Sequence, residues 1–321
     1  MSEHGATVVV VDGGYDHYDL ERAILAPLGA ELVVAPCEGD AERVVEVAHG
    51  ADAVLVRETP LPASTLQRLP RCKVIVRYGV GTDNIDLAYA AANGIKVANV
   101  PDYGVEEVSE HAVALLLAVK RRLFERDAVV RAGRWGDVAA KPIQRTRGTV
   151  LGLIGAGRIG QCFIDKARPL GFERVLVHSR DSVPAGTEAA DIDRICAEAD
   201  VISLHVPLTE ATRNIVDSRR LALMKPTAIL INTARGGLVD EAALAEALHN
   251  GRLFGAGLDV FAEEPLPADN PLRQAPNCVL SDHAAWFSEE AVQDLQRKAA
   301  EEVKRGLTGE PLVNPVLPAA R

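Results

Sequence analysis

The chain has 321 residues, 48% hydrophobic and 25% charged, which is the composition of a globular protein long enough for two domains with a core each. Its 45 acidic residues against 35 basic ones leave a formal charge of −10, which argues against the basic face that nucleic-acid binding requires. An anionic ligand must therefore be drawn by a local cluster of arginines and not by the global field.

From residue 7 to about 98 the pattern is strand and helix in alternation. Apolar runs at 7–11, 31–35, 53–56, 73–76 and 95–98 read as strands, with helical or turn-rich segments at 19–28, 41–49, 63–69 and 86–92 between them. Such alternation makes a parallel doubly wound sheet. Arg77-Tyr78-Gly79-Val80-Gly81 closes the fourth strand. Two glycines at a strand's C-terminal end expose amides where α/β sheets bind ligands, and Arg77 can add a charge. A plain turn with Asp86 capping the next helix fits the same residues. Residues 105–131 read as one long helix, acidic at its start and basic further on, an order that suits the helix dipole. His111 lies beside its apolar face and reads as structural.

Residues 149–180, TVLGLIGAGRIGQCFIDKARPLGFERVLVHSR, organise the second half. A buried strand at 149–154 runs into Gly155, Gly157 and Gly160 in G-x-G-x-x-G, then into a helix at 161–170 and a strand at 174–178. The glycines allow a tight turn, a close approach of backbone to pyrophosphate and helix–strand packing. The helix N-terminus, with Arg158 and Ile159 just before it, supplies amides for the phosphates. The strand–turn–helix–strand context makes this a dinucleotide-binding unit. Further strands follow at 200–206, 228–232, 254–259 and 277–281, with helices at 192–198, 240–250 and 288–306. The last helix is expected to return to the first domain.

Four features lie at or just beyond the ends of these later strands. Arg235 sits on a glycine-flanked turn and suits a bidentate grip on a carboxylate. Asp259 ends one strand, Glu264 follows it, and His283 follows the last strand. A His and a Glu on one rim can form a dyad, in which the carboxylate fixes the ring tautomer and leaves the other nitrogen to exchange a proton. Five cysteines, Cys37, Cys72, Cys162, Cys196 and Cys278, are scattered without C-x-x-C spacing, so neither a disulfide framework nor a metal site is expected. The first residues lack a basic signal region, and the most apolar helical segment, 112–119, is too short to span a bilayer. A cytoplasmic protein with no membrane partner is expected.

The order GxGxxG, HVPLT, NTARGG, LDVF and HAAW resembles the D-2-hydroxyacid dehydrogenase family over essentially the whole chain. Within it, Arg77, Trp286 and Ser288-Glu289 look most like the C-terminal-binding-protein branch. The resemblance implies two doubly wound α/β domains with a cleft between them: a flavodoxin-like substrate domain of residues 1–100 and 287–321, and a Rossmann coenzyme domain of residues 101–286. It implies that Arg235 grips the substrate carboxylate, that His283 is the acid/base and that Glu264 is its partner. Val80 and Gly81 match the loop whose amides hold the carboxylate, and Arg77 and Trp286 match residues lining the substrate pocket. Thr233, Ala234 and Asp259 match nicotinamide-side contacts, and Val206, Pro207 and Thr212 match those near the adenosine and ribose. Val80 stands where the branch often has Ser, so only its backbone can contribute.

The implied reaction is reversible reduction of a small 2-keto acid to the D-2-hydroxy acid with NAD(P)H, by a homodimer joined through its coenzyme domains. The same branch leaves open a dinucleotide-sensing scaffold with little turnover. An NAD enzyme of this fold places an acid about 20 residues after the glycine turn to hold the ribose hydroxyls. Here Ser179 and Arg180 stand there instead, with Asp181 next, close enough to take over the ribose if the loop bends back. Loss of the acid removes its repulsion of a 2′-phosphate, and Arg180 can pair with that phosphate, so NADP is expected to serve at least as well as NAD.

Overall fold

The computed structural model describes residues 5–136, 143–180 and 182–318. In it the first apolar runs pair as strands β1 (Thr7–Val10), β2 (Glu31–Val34), β3 (Ala53–Val56), β4 (Val74–Arg77) and β5 (Lys96–Ala98). All pairings are parallel, in the order β2-β1-β3-β4-β5, which is the flavodoxin-like arrangement. Every residue of β3 is buried, the near-continuous apolar run expected of a strand covered on both faces. The unit comprises Met1–Tyr103 and Ser288–Arg321. The helix Glu289–Thr308 supplies its last layer, with Ala291, Leu295, Ala299 and Val303 buried at helical spacing. A β-carbon on Gly306 would lie 2.6 Å from the side chain of Val74, so this helix can sit close on β4 only as glycine.

The second unit, Gly104–Phe287, carries β6 (Val150–Ile154), β7 (Arg174–His178), β8 (Glu188–Ala189), β9 (Val201–Leu204), β10 (Ile229–Asn232), β11 (Gly255–Leu258) and β12 (Cys278–Leu280). Their order is β12-β11-β10-β9-β6-β7-β8, all parallel. The chain winds outward in both directions from the β6–β9 pair. The loops that follow those two strands therefore diverge, and a crevice opens at their C-terminal ends. The helix Val105–Arg121 lies against β11, where β-carbons on Gly255 and Gly257 would come within 2.6 Å of Val119 and 2.9 Å of Leu115.

The single helix expected over 105–131 is broken. Arg122 adopts a left-handed conformation with φ 51°, and a second helix runs from Leu123 to Arg131. The physical reason is burial: the first helix has a buried stripe that ends at Val119 and Lys120, whereas the second buries none of its residues. Nothing holds the two on one axis, and Arg122 instead pairs through Nε with Glu125 at 2.7 Å. Two elements escape sequence reading. β8 is a two-residue, exposed edge strand, and the helix Ser218–Leu223 is short, started by Asp217 accepting from the Arg220 amide. Asp40, Asp86, Asp191 and Asp240 cap other helices in the same way.

Asp52, just before β3, ties together the starts of the three central strands of the first sheet. Its buried carboxylate accepts from the Thr7 amide at 3.1 Å, Arg71 at 2.8 Å and Lys73 at 3.1 Å. Burial pushes its pKa up, but these donors outweigh burial and leave it below the ordinary value. A depressed carboxyl stabilises the fold above its unfolded pKa, and that contribution is lost as pH falls through the folded value. Asp52→Ala should cost about 1–3 kcal/mol at neutral pH. The gap from wild type should narrow in urea melts taken below about pH 4; a gap independent of pH would refute the assignment.

Candidate active site

The turn after β6 is shaped partly by the protein and partly for something else. Gly155 has φ 100°, and a β-carbon there would meet the His205 carbonyl at 2.4 Å; one on Gly160 would meet the Gly155 carbonyl at 2.6 Å. Packing alone demands those two glycines. A β-carbon on Gly157 would meet no protein atom within 4 Å. Gly157 is the N-cap of the helix Arg158–Ala167 and gives it no side-chain cap, so the first amides, including those of Arg158 and Ile159, face open space with the dipole's positive end. This cradle fits a pyrophosphate. Across the crevice, His205 after β9 packs on Phe163 and takes a hydrogen bond with Ser203 at 2.8 Å. Burial pushes its pKa down to about 4, so it is neutral at physiological pH. Val206 borders Gly155, and the Thr212 hydroxyl donates to the Pro207 carbonyl at 2.7 Å, which folds the 206–212 loop on itself. β7 ends at His178, with Ser179 and an exposed Arg180 next. Asp181, the next residue, lies outside the described residues.

Beyond β10, the buried Asn232 sets the Arg235 turn. Its Oδ1 accepts from the Ala234 amide at 3.1 Å and its Nδ2 donates to the Arg235 carbonyl at 2.8 Å. Arg235 Nη1 donates to the Ala234 carbonyl at 2.8 Å. The Thr233 hydroxyl is buried with no hydrogen-bond partner among the described residues, a polar atom that a bound nicotinamide could satisfy. At Gly236 a β-carbon would collide with the Phe261 backbone, so the Arg235 turn lies directly on the segment leading to Glu264.

Glu264 and His283 are joined. The carboxylate accepts from the Phe261 amide at 2.8 Å through Oε1 and from His283 Nδ1 at 2.6 Å through Oε2. Burial raises the Glu264 pKa, but the hydrogen bonds from His283 and Phe261, with the charge of Arg235 nearby, bring it below the ordinary value. An ionised acceptor puts the ring proton on Nδ1 and leaves Nε2 as the nitrogen that can exchange a proton. Asp259, 1% exposed, accepts at 3.0 Å from each of the Ala284 and Ala285 amides. Trp286 follows this turn and packs edge-on against Phe287, ring centroids 5.7 Å apart.

The second unit thus brings Arg235, Glu264 and His283 together on one rim. In the first unit, Arg77 ends β4 and donates through Nε to the Arg57 carbonyl at 3.1 Å. Its guanidinium covers Gly79, where a β-carbon would overlap it. Val80 is 40% exposed, and nothing among the described residues accepts from the amides of Val80 and Gly81. Residues 113–285 match the family model described as D-isomer specific 2-hydroxyacid dehydrogenase, NAD binding domain. The chain belongs to that family. A glycerate dehydrogenase from Methylorubrum extorquens is 40% identical over 277 residues, covering 84% of this chain and 87% of the relative. A glyoxylate reductase from Korarchaeum cryptofilum is 39% identical over 286 residues, covering 84% and 85%. Among solved structures, an NADPH-dependent glyoxylate/hydroxypyruvate reductase from Sinorhizobium meliloti, in complex with NADP and malonate, superposes with a TM-score of 0.85 at 30% identity, over 97% of this chain and 96% of that one. These relatives are dehydrogenases and reductases, which does not favour the scaffold reading.

Sequence reading missed Asn232 and Glu241 in this 2-hydroxyacid dehydrogenase. Glu241 accepts from the Ala262 amide at 2.6 Å and from Asn270 at 2.8 Å, holding the segment before Glu264. It opens a helix that the sequence marks as capped and amphipathic, and nothing in that pattern points to Ala262 or Asn270. The cradle itself is testable. Gly157→Ala should melt within about 2 °C of wild type, because the methyl meets no protein atom, yet bind NAD(P)H at least about tenfold more weakly, because it occupies the phosphate's approach. Gly155→Ala should lose stability instead. Unchanged coenzyme binding in a folded Gly157→Ala variant would refute the cradle.

Proposed function

We propose that this dehydrogenase reduces a small 2-keto acid to the D-2-hydroxy acid, with Arg235, His283 and Glu264 as its working groups. The observation that carries the reading is the 2.6 Å His283–Glu264 pair on the same rim as Arg235. When bound, the nicotinamide coenzyme supplies the hydride. Arg235 grips the carboxylate in a planar, two-point bond and stabilises negative charge growing on the keto oxygen. His283 gives its Nε2 proton to that oxygen, and Glu264 holds the ring and stabilises the charged form before transfer. In the oxidative direction His283 takes the proton back. Arg77, Trp286 and the amides of Val80 and Gly81 are assigned to the substrate on the family resemblance. Thr233, Ala234, Asp259, Val206, Pro207 and Thr212 are assigned to the coenzyme in the same way. A homodimer belongs to this reading and would be seen from the mass in solution.

NADPH is proposed to serve at least as well as NADH. Support comes from Ser179 standing at the end of β7 where an acid would hold the ribose, from the exposed Arg180 beside it and from the NADPH-dependent relative. The test is kcat/KM for glyoxylate and hydroxypyruvate with both coenzymes. Arg235→Lys keeps the charge but loses the bidentate geometry, and should cost at least about 100-fold in kcat/KM; near-normal turnover of the folded variant would refute its role. Arg180→Ala should weaken NADPH and spare NADH. A tenfold preference for NADH in the wild type, with neither coenzyme affected by Arg180→Ala, would overturn the coenzyme assignment.

A further inference from the structure

His111 and Ser281 have no part in the chemistry just described, yet they stand in one hydrogen-bonded chain behind His283. His111 lies on the helix Val105–Arg121, and its Nε2 is 2.8 Å from the Ser281 hydroxyl. That hydroxyl is 2.7 Å from Asp259 Oδ1. A carboxylate only accepts, so the single Ser281 proton goes to Asp259, and toward His111 the hydroxyl must accept. His111 therefore carries its proton on Nε2. The chain of donors runs in one direction, from His111 to Ser281 to Asp259.

Asp259 passes this on to the turn that carries His283. Its two oxygens take the Ala284 and Ala285 amides at 3.0 Å, and its carbonyl takes the His283 amide at 2.8 Å. His283 itself is held at φ 57°, a left-handed conformation that a β-carbon disfavours and that persists only where the surroundings over-determine it. The surroundings here are the Asp259 carboxylate, and that carboxylate is aimed by Ser281 and His111. We infer that His111 and Ser281 are positioning residues, which orient Asp259 so that the 281–285 turn holds the His283 ring at its working angle. This rests on the reading of His283 as the proton donor, but its structural half can be measured without turnover.

The experiment compares His111→Leu, His111→Gln and Ser281→Ala with wild type. The glutamine amide nitrogen can reach the place of Nε2 and donate to Ser281, which leucine cannot do. In the free protein, hydrogen exchange of the Ala284 and Ala285 amides should accelerate in His111→Leu and Ser281→Ala and stay near wild type in His111→Gln. In single-turnover reduction of glyoxylate with saturating NADPH, the Leu and Ala variants should slow about tenfold or more, since small misplacements of a reacting group carry penalties of this size. His111→Gln should stay within about threefold. Equal behaviour of His111→Leu and His111→Gln, or unaltered exchange in Ser281→Ala, would overturn the inference. Should His111→Leu not fold, Ser281→Ala decides alone. A wild-type protein that reduces no keto acid would refute the proposed function, and the exchange pattern would still decide the positioning.

Discussion

A carboxylate with almost no exposure must find its hydrogen bonds inside the protein or destabilise it. Asp259 at the end of β11 meets that demand with the Ser281 hydroxyl and the amides of Ala284 and Ala285. The chain after β12 is thereby folded back over β11, and His283 is carried with it. One strand away, Asn232 does the equivalent for the Arg235 turn. The Asp259 amide donates to the Asn232 carbonyl, so the two turns hang from adjacent, directly bonded strand ends. The rim is organised by satisfying two buried polar side chains, not by attraction among Arg235, Glu264 and His283.

The sheet makes this arrangement available. Parallel strands end on the same side, and winding outward from β6 and β9 opens their C-terminal ends to a ligand. Small residues then set the depth of the rim. Gly236 lets the Arg235 turn touch the Phe261 backbone, and Gly255 and Gly257 let the helix bearing His111 press against β11. Without that approach, His111 would not reach Ser281. Gly157 is different, because the protein leaves the space beside it open, room that the proposed pyrophosphate would use.

Features decided within a few residues were legible in the sequence. The strand–helix alternation, the glycine turn and the Asp86 cap act through backbone conformation and adjacent amides, and they appear where their residues are. Arg235, Glu264 and His283 were legible for another reason: each follows a strand in a parallel sheet, so each must stand on the same edge. Tertiary structure alone decided which polar groups meet. His111 and Ser281 are 170 positions apart, and no spacing rule connects them, so His111 read as an ordinary core histidine. The break at Arg122 was equally hidden, because it depends on where the buried face of a helix ends and not on any residue that breaks helices. The chain by itself determined the fold class, the coenzyme turn and the candidate groups for chemistry, because those follow from local periodicity and strand order. How His283 is held in a disfavoured conformation was decided by the packing of three distant segments around one buried carboxylate.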